Sequence, residues 1–217
     1  MDVLSILLAF VLLATVLGFG FYLNLHSHRS IKKNYQWLAD EFGLHFHSSE
    51  SKGFGLFRSP PYVSGLWDGR EISIQTVTTG LSNSRQAETA INLQTGVNPS
   101  VLLHLQSRKG LNRLERSEFK GLQQVSGPTP EYDQKIRLMT NHPEWFGRIF
   151  DMDFLNKLRV HLGGTSGTIL LVKGSLTYRE TGLLAGAKSV ERIHGMTIFL
   201  GTMADWLENR EKGEETL

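Results

Sequence analysis

VLSILLAFVLLATVLGFGFYLNL, Val3 to Leu25, is the stretch on which the reading of this chain turns. From Val3 to Tyr22 its only hydrophilic groups are Ser5, Thr15 and the Tyr22 hydroxyl, and no charge falls between Asp2 and Arg29. A helix over Val3–Leu23 would be about 31 Å long, the thickness of a bilayer core. The run is too long for the apolar core of a cleaved signal peptide. Met1-Asp2 supplies no positive n-region, and no small-x-small cleavage site follows Gly20. The expectation is a permanent single-pass signal-anchor. Ser5 with Ala9, and Ala14 with Gly18, repeat at a spacing that lets transmembrane helices approach closely.

The flanks set an orientation. Asp2 precedes the run, whereas Arg29, Lys32 and Lys33 follow it, and lysine and arginine resist translocation. The remainder therefore reads as cytoplasmic, at the cell inner (plasma) membrane or its equivalent. Tyr22, Arg29, Lys32, Lys33 and Trp37 are the residues expected at the membrane interface. The implied partners are the lipid bilayer and a larger membrane protein complex, or a second copy of the chain through the transmembrane helix.

The full chain has ordinary globular composition, 40% hydrophobic and 20% charged, which argues against disorder in the part beyond residue 28. A net charge of +2 with no basic, aromatic-interleaved stripe excludes nucleic acid as a partner. Zero cysteines exclude disulfides, thiolate zinc and a cysteine nucleophile together. The division expected is an anchor and flank over 1–28, an α+β domain over 29–209 and a charged tail over 210–217.

Within the domain, Ile31, Tyr35, Leu38 and Phe42 form a helical stripe that Gly43 ends. His45–Pro61 reads as a loop, with a short strand at Gly55–Arg58. The period then becomes two: Tyr62–Trp67 and Glu71–Thr79 flank Asp68-Gly69, the favoured two-residue hairpin turn. Glu88–Gln94 and Val101–Gln106 continue the alternation, and a helical turn is expected around Leu114–Phe119. Tyr132–Thr140 reads as a strand, and Pro143 opens a helix containing Trp145 and Ile149. Asp151 or Asp153 caps a helix over Phe154–Leu162, Thr168–Lys173 and Ser175–Arg179 form a hairpin, and Ala187–Asn209 is the last helix. Strands cluster without β-α-β alternation. The fold class is α+β: a single N-terminal transmembrane helix, then a mostly antiparallel sheet packed with helices.

The run Tyr132-Asp133, Ile136, Leu138, Thr140-Asn141-His142-Pro143-Glu144-Trp145, with Leu155 and Leu158 and the hairpin and helix that follow, resembles an uncharacterised bacterial membrane-anchored α+β domain over Tyr132–Asn209. Trp67-Asp68-Gly69-Arg70 is similar too. The resemblance implies a fold and no activity.

Chemistry-bearing patterns are few. His26-x-His28 and His45-x-His47 would each present two imidazoles to one side of an extended segment, but a helix separates the pairs and only Glu41 and Glu50 lie near enough to complete a shell, so no metal is expected. Gly163–Thr168 follows a helix instead of preceding one, opposite to a phosphate loop, and reads as a cap and turn. Asp133 with His142, and Asp151 or Asp153 with His161, are the acid–base candidates, framed by no catalytic motif. No cofactor and no catalytic residue is assigned. The functional expectation is a non-enzymatic accessory or assembly subunit docking on a larger membrane complex. The rival is a tethered ligand-binding or hydrolytic domain using loops Gly80–Gln86 and Gly163–Thr168.

Overall fold

A single helix, α1 (Val3–Phe42), opens the chain and runs without a break through the flank of the apolar stretch into the domain. The structure, a computed structural model, describes residues 3–48, 59–79, 86–110, 121–144 and 150–214, with α1 side chains at 10–13, 15–16 and from 26 onward. Among these, no helix is long and apolar enough to cross a membrane. That corrects the expected fold class, with its single N-terminal transmembrane helix, and the membrane, single-pass and signal-anchor readings with it. The physical reason lies in what the described part of α1 contains. From His26 on it carries Arg29, Lys32, Lys33, Asp40 and Glu41, whereas a span needs about 20 apolar residues.

The second half of α1 is a core helix. Ile31, Tyr35, Leu38, Ala39 and Phe42 are buried, as the 3.6-residue period requires for one apolar stripe. Gly43, at φ 65°, ends the helix where a side chain would be strained. Among the described residues nine strands follow: β1 (His45–His47), β2 (Tyr62–Trp67), β3 (Arg70–Thr79), β4 (Gln86–Gln94), β5 (Leu103–Ser107), β6 (Gln123–Val125), β7 (Ile136–Thr140), β8 (Thr168–Val172) and β9 (Ser175–Thr181). Further α-helices are α2 (Pro130–Asp133), α3 (Met152–Leu162) and α4 (Ala187–Glu214). All nine strands form one antiparallel sheet in the order β1-β2-β3-β4-β9-β8-β5-β7-β6.

One face of the sheet is the core. Val63, Ile74, Ile91, Tyr178, Ile169, Leu105 and Leu138 follow one another across seven strands, each fully or almost fully buried. Helix α1 packs on β1 and β2, α4 on β4 and β9, and α3 against α4. Leu158, Leu162, Leu200, Met203 and Leu207 close the interior between the two helices and the sheet. Fully burying each such side chain is worth about 1.5–3 kcal/mol.

Local differences from the sequence reading have identifiable causes. The Asp68-Gly69 turn stands where expected, both residues at positive φ, as a tight hairpin needs. Tyr132 is in α2, not in a strand: Thr129 accepts the Tyr132 N–H and Pro130 occupies the first turn, so a helical turn precedes β7. His45–His47 is a strand, not a loop, because Phe46 pairs with Val63 at the sheet edge. The expected strand at Gly55–Arg58, the loop from Gly80, the turn at Leu114–Phe119 and the helix at Trp145–Ile149 lie wholly or mainly outside the described residues.

Candidate binding surface

The face of the sheet opposite the core carries the polar half of every alternating strand. Across its first four strands the registers place His45 beside Ser64, Ser64 beside Ser73, and Ser73 beside Asn92. The row continues to Thr177 on β9. Two residues along, Leu66 lies opposite Glu71, and Gln94 stands one step beyond the Ile72–Leu93 pair. Serines are short, and the flanking residues Leu66, Glu71 and Gln94 are long. The serine row therefore becomes the floor of a trough running across the strands, with a volume of about 690 Å³ and Gly43 at one end. Strands lie about 4.8 Å apart, so the floor from β1 to β4 is roughly 14 Å long.

Hydrogen bonds along the floor share one direction. The Thr177 hydroxyl donates to Asn92 Oδ1 at 3.0 Å, and the Asn92 amide donates to Ser73 Oγ at 3.3 Å. His47 Nε2 lies 3.1 Å from Ser64 Oγ, and its ring stacks on Tyr62 at 4.5 Å with an interplanar angle of 12°. Thus β1 holds one histidine against Ser64 and Tyr62 and leaves the other, His45, exposed beside the trough.

Several charged residues elsewhere fasten elements together. Glu180, only 5% exposed, takes Tyr178 Oη at 2.8 Å and Arg192 Nε at 2.6 Å on one oxygen, and Arg192 Nη2 at 2.9 Å on the other. The bond to Glu180 holds Arg192 above the ordinary arginine range, and burial raises the Tyr178 hydroxyl. Gly167 lies under that ring, where a Cβ would stand 2.4 Å from Tyr178 Cε2. Burial likewise pushes the Tyr35 hydroxyl up to about 12, although its bond with Thr76 at 3.0 Å pulls the other way. Arg70 reaches Asp205 at 2.6 Å and Glu208 at 3.0 Å, and Glu208 also accepts the Gly96 N–H at 2.9 Å. Its bond to Glu208, above all, raises Arg70 beyond the usual arginine range.

The sequence-derived candidates disperse. His26 and His28 fall on α1, where residues two apart point about 200° apart, so their extended-segment pairing does not arise. Among the described residues no three His, Cys, Asp or Glu side chains gather as for a metal ion. Asp133 accepts the Gly127 N–H at 2.7 Å, while His142 lies 3.3 Å from Glu144. Asp151 caps α3 through Phe154 N at 2.8 Å, Asp153 pairs with Lys157 at 2.7 Å, and His161 stacks on Phe199 at 4.8 Å. The Gly163–Thr168 turn is bound inward, with Ser107 Oγ donating to the Thr165 carbonyl at 2.6 Å. Residues 5, 9, 14, 18 and 22 lie on α1, and their side chains are outside the described set. Arg29, Lys32, Lys33 and Trp37 are exposed; Lys32 Nζ sits 6.0 Å over the Phe46 ring and Trp37 tilts against His194 at 5.4 Å.

The trough escaped the sequence reading because its floor is assembled from residues 45, 64, 73 and 92, which only strand register brings together. Alternation did mark Ser73 and Asn92 as facing away from the core, and that was the one signal available.

No family model matches the chain. No curated protein matches it either. Among solved structures it is similar to the crystal structure of the mycobacterial trehalose monomycolate transport factor A, TtfA, at 12% identity and a TM-score of 0.55. The match covers 82% of this chain and 95% of that one. Identity that low establishes a shared fold.

Proposed function

We propose that this chain is a non-enzymatic accessory or assembly factor whose α+β domain docks on a larger membrane protein complex concerned with transport. The observation that carries the reading is the correspondence in fold with nearly the whole of a protein named as a transport factor. The fates of the charged groups agree with it: Glu180, Arg192, Arg70, Glu208 and Asp151 each join one element to another or cap a helix. In this reading the domain sits at the membrane, held there by its partner.

Docking needs apolar surface left uncovered. Met152 and Val160 on α3 and Ile198 on α4 are exposed, and the last two adjoin the His161–Phe199 stack in sequence. A photo-activated crosslinking residue at Val160 or Ile198, expressed in the cells of origin, is expected to yield one discrete adduct containing a transport-complex component. The same residue at Lys188 should not. Equal, diffuse labelling from all three positions would sink the reading.

A further inference from the structure

The trough has a chemistry of its own, which docking of the domain does not use. We propose that it binds a neutral, polyhydroxylated ligand of about disaccharide size: a sugar unit. Its volume falls within the roughly 300–1,000 Å³ of small-molecule sites. Among the described residues lining it there is no lysine or arginine, and Glu71 is the one carboxylate. An anionic ligand would meet the Glu71 carboxylate with only the His45 imidazole, among the described lining residues, to offset it. A divalent cation would find a single carboxylate where such ions take six or more oxygens.

What the trough offers is hydrogen bonding of both senses at short intervals. Because Asn92 receives from Thr177 and gives to Ser73, the Ser73 hydroxyl proton is left for an acceptor above the floor. Glu71, exposed on the wall, accepts without donating. A hydroxyl group is donor and acceptor at once, so adjacent hydroxyls of a sugar can satisfy both. Leu66, 68% exposed at the same wall, supplies an apolar edge for the ring C–H face. Ligand binding in the trough and docking of the domain are independent, and either can fail alone.

The test is two-dimensional amide NMR of the full chain in mild detergent, titrated with maltose, with octyl maltoside below its micelle concentration, and with blocked tetraglycine. Maltose is expected to shift the amides of Ser64, Ser73 and Asn92 selectively, with a dissociation constant on the order of 1 mM. A tighter response to octyl maltoside would support the proposal and assign the alkyl contact to Leu66. Ser73→Leu, which fills the floor, should weaken maltose at least about tenfold, the loss of one good hydrogen bond, while Ser73→Thr should retain it. The same spectra report whether each variant is folded. No selective shift with maltose up to about 50 mM, a response to tetraglycine alone, or equal affinity in Ser73→Leu would each overturn the assignment.

Discussion

His161 shows how one residue's surroundings become a property of the whole fold. Its ring lies on Phe199, and burial lowers its proton affinity below that of an ordinary histidine. An unfolded chain therefore binds a proton at this position more readily than the folded one does. The contribution to stability is complete above the unfolded value of 6.5, is lost as pH falls below it, and levels off beneath the folded value. His161→Gln should lower the urea midpoint less between pH 7.5 and 5.5 than the natural chain does. Identical drops in both proteins would show that the stacked ring does not titrate differently in the fold. Nothing in the sequence around position 161 foretold the stack, because Phe199 lies on another helix; what could be read was only that Leu158 and Leu162 face the core.

At the scale of elements, the β2–β3 hairpin and α4 are joined by two carboxylates that differ in exposure. Glu208 is 17% exposed and bonds both Arg70 and the Gly96 N–H, whereas Asp205 is half exposed and bonds Arg70 alone. Glu208→Ala leaves a guanidinium short of a partner and an N–H unsatisfied, and should cost about 2 kcal/mol, or about 4–8 °C in melting temperature. Asp205→Ala should cost about 0.5 kcal/mol, as an exposed pair does. Calorimetry of the two variants checks the order, and equal losses would contradict it. The hairpin itself was legible, because alternation and an Asp-Gly turn are local signals. The edge strands β1 and β6 were not: three residues each carry too little pattern to distinguish from loop.

For the whole molecule, the question is where the folding unit begins. Among the described side chains of α1 burial starts at Ile31, and Ser30 and Asn34 donate to the carbonyls of Ala185 and Leu184 just ahead of α4. Phe10, by contrast, is 71% exposed, with Val11, Leu12 and Leu13 beside it covering most of the helix circumference. A fragment lacking Met1–His28 should keep the circular dichroism of the domain and melt within about 2 °C of the full chain. Loss of a cooperative transition would mean that the apolar half of α1 belongs to the folding unit. The apolar stretch invited a division of the chain at residue 28, yet the helix passes through that point unbroken, since Asn24, His26, Ser27 and His28 include no helix breaker.

The strand order leaves a mark on how the protein is made. Residues 86–94 of β4 find their second neighbour only in β9, and β5 finds one of its two only in β8. Until the 168–181 hairpin leaves the ribosome, β1–β4 and β5–β7–β6 are two separate half-sheets with raw edges facing solvent. At the usual pace of synthesis that interval lasts about 5–20 s after β4 emerges, ample time for an unpaired edge to meet another chain. The last hairpin is therefore the keystone of biosynthesis. A nascent chain stalled before Thr168 has most of its strands and no means of joining the two half-sheets.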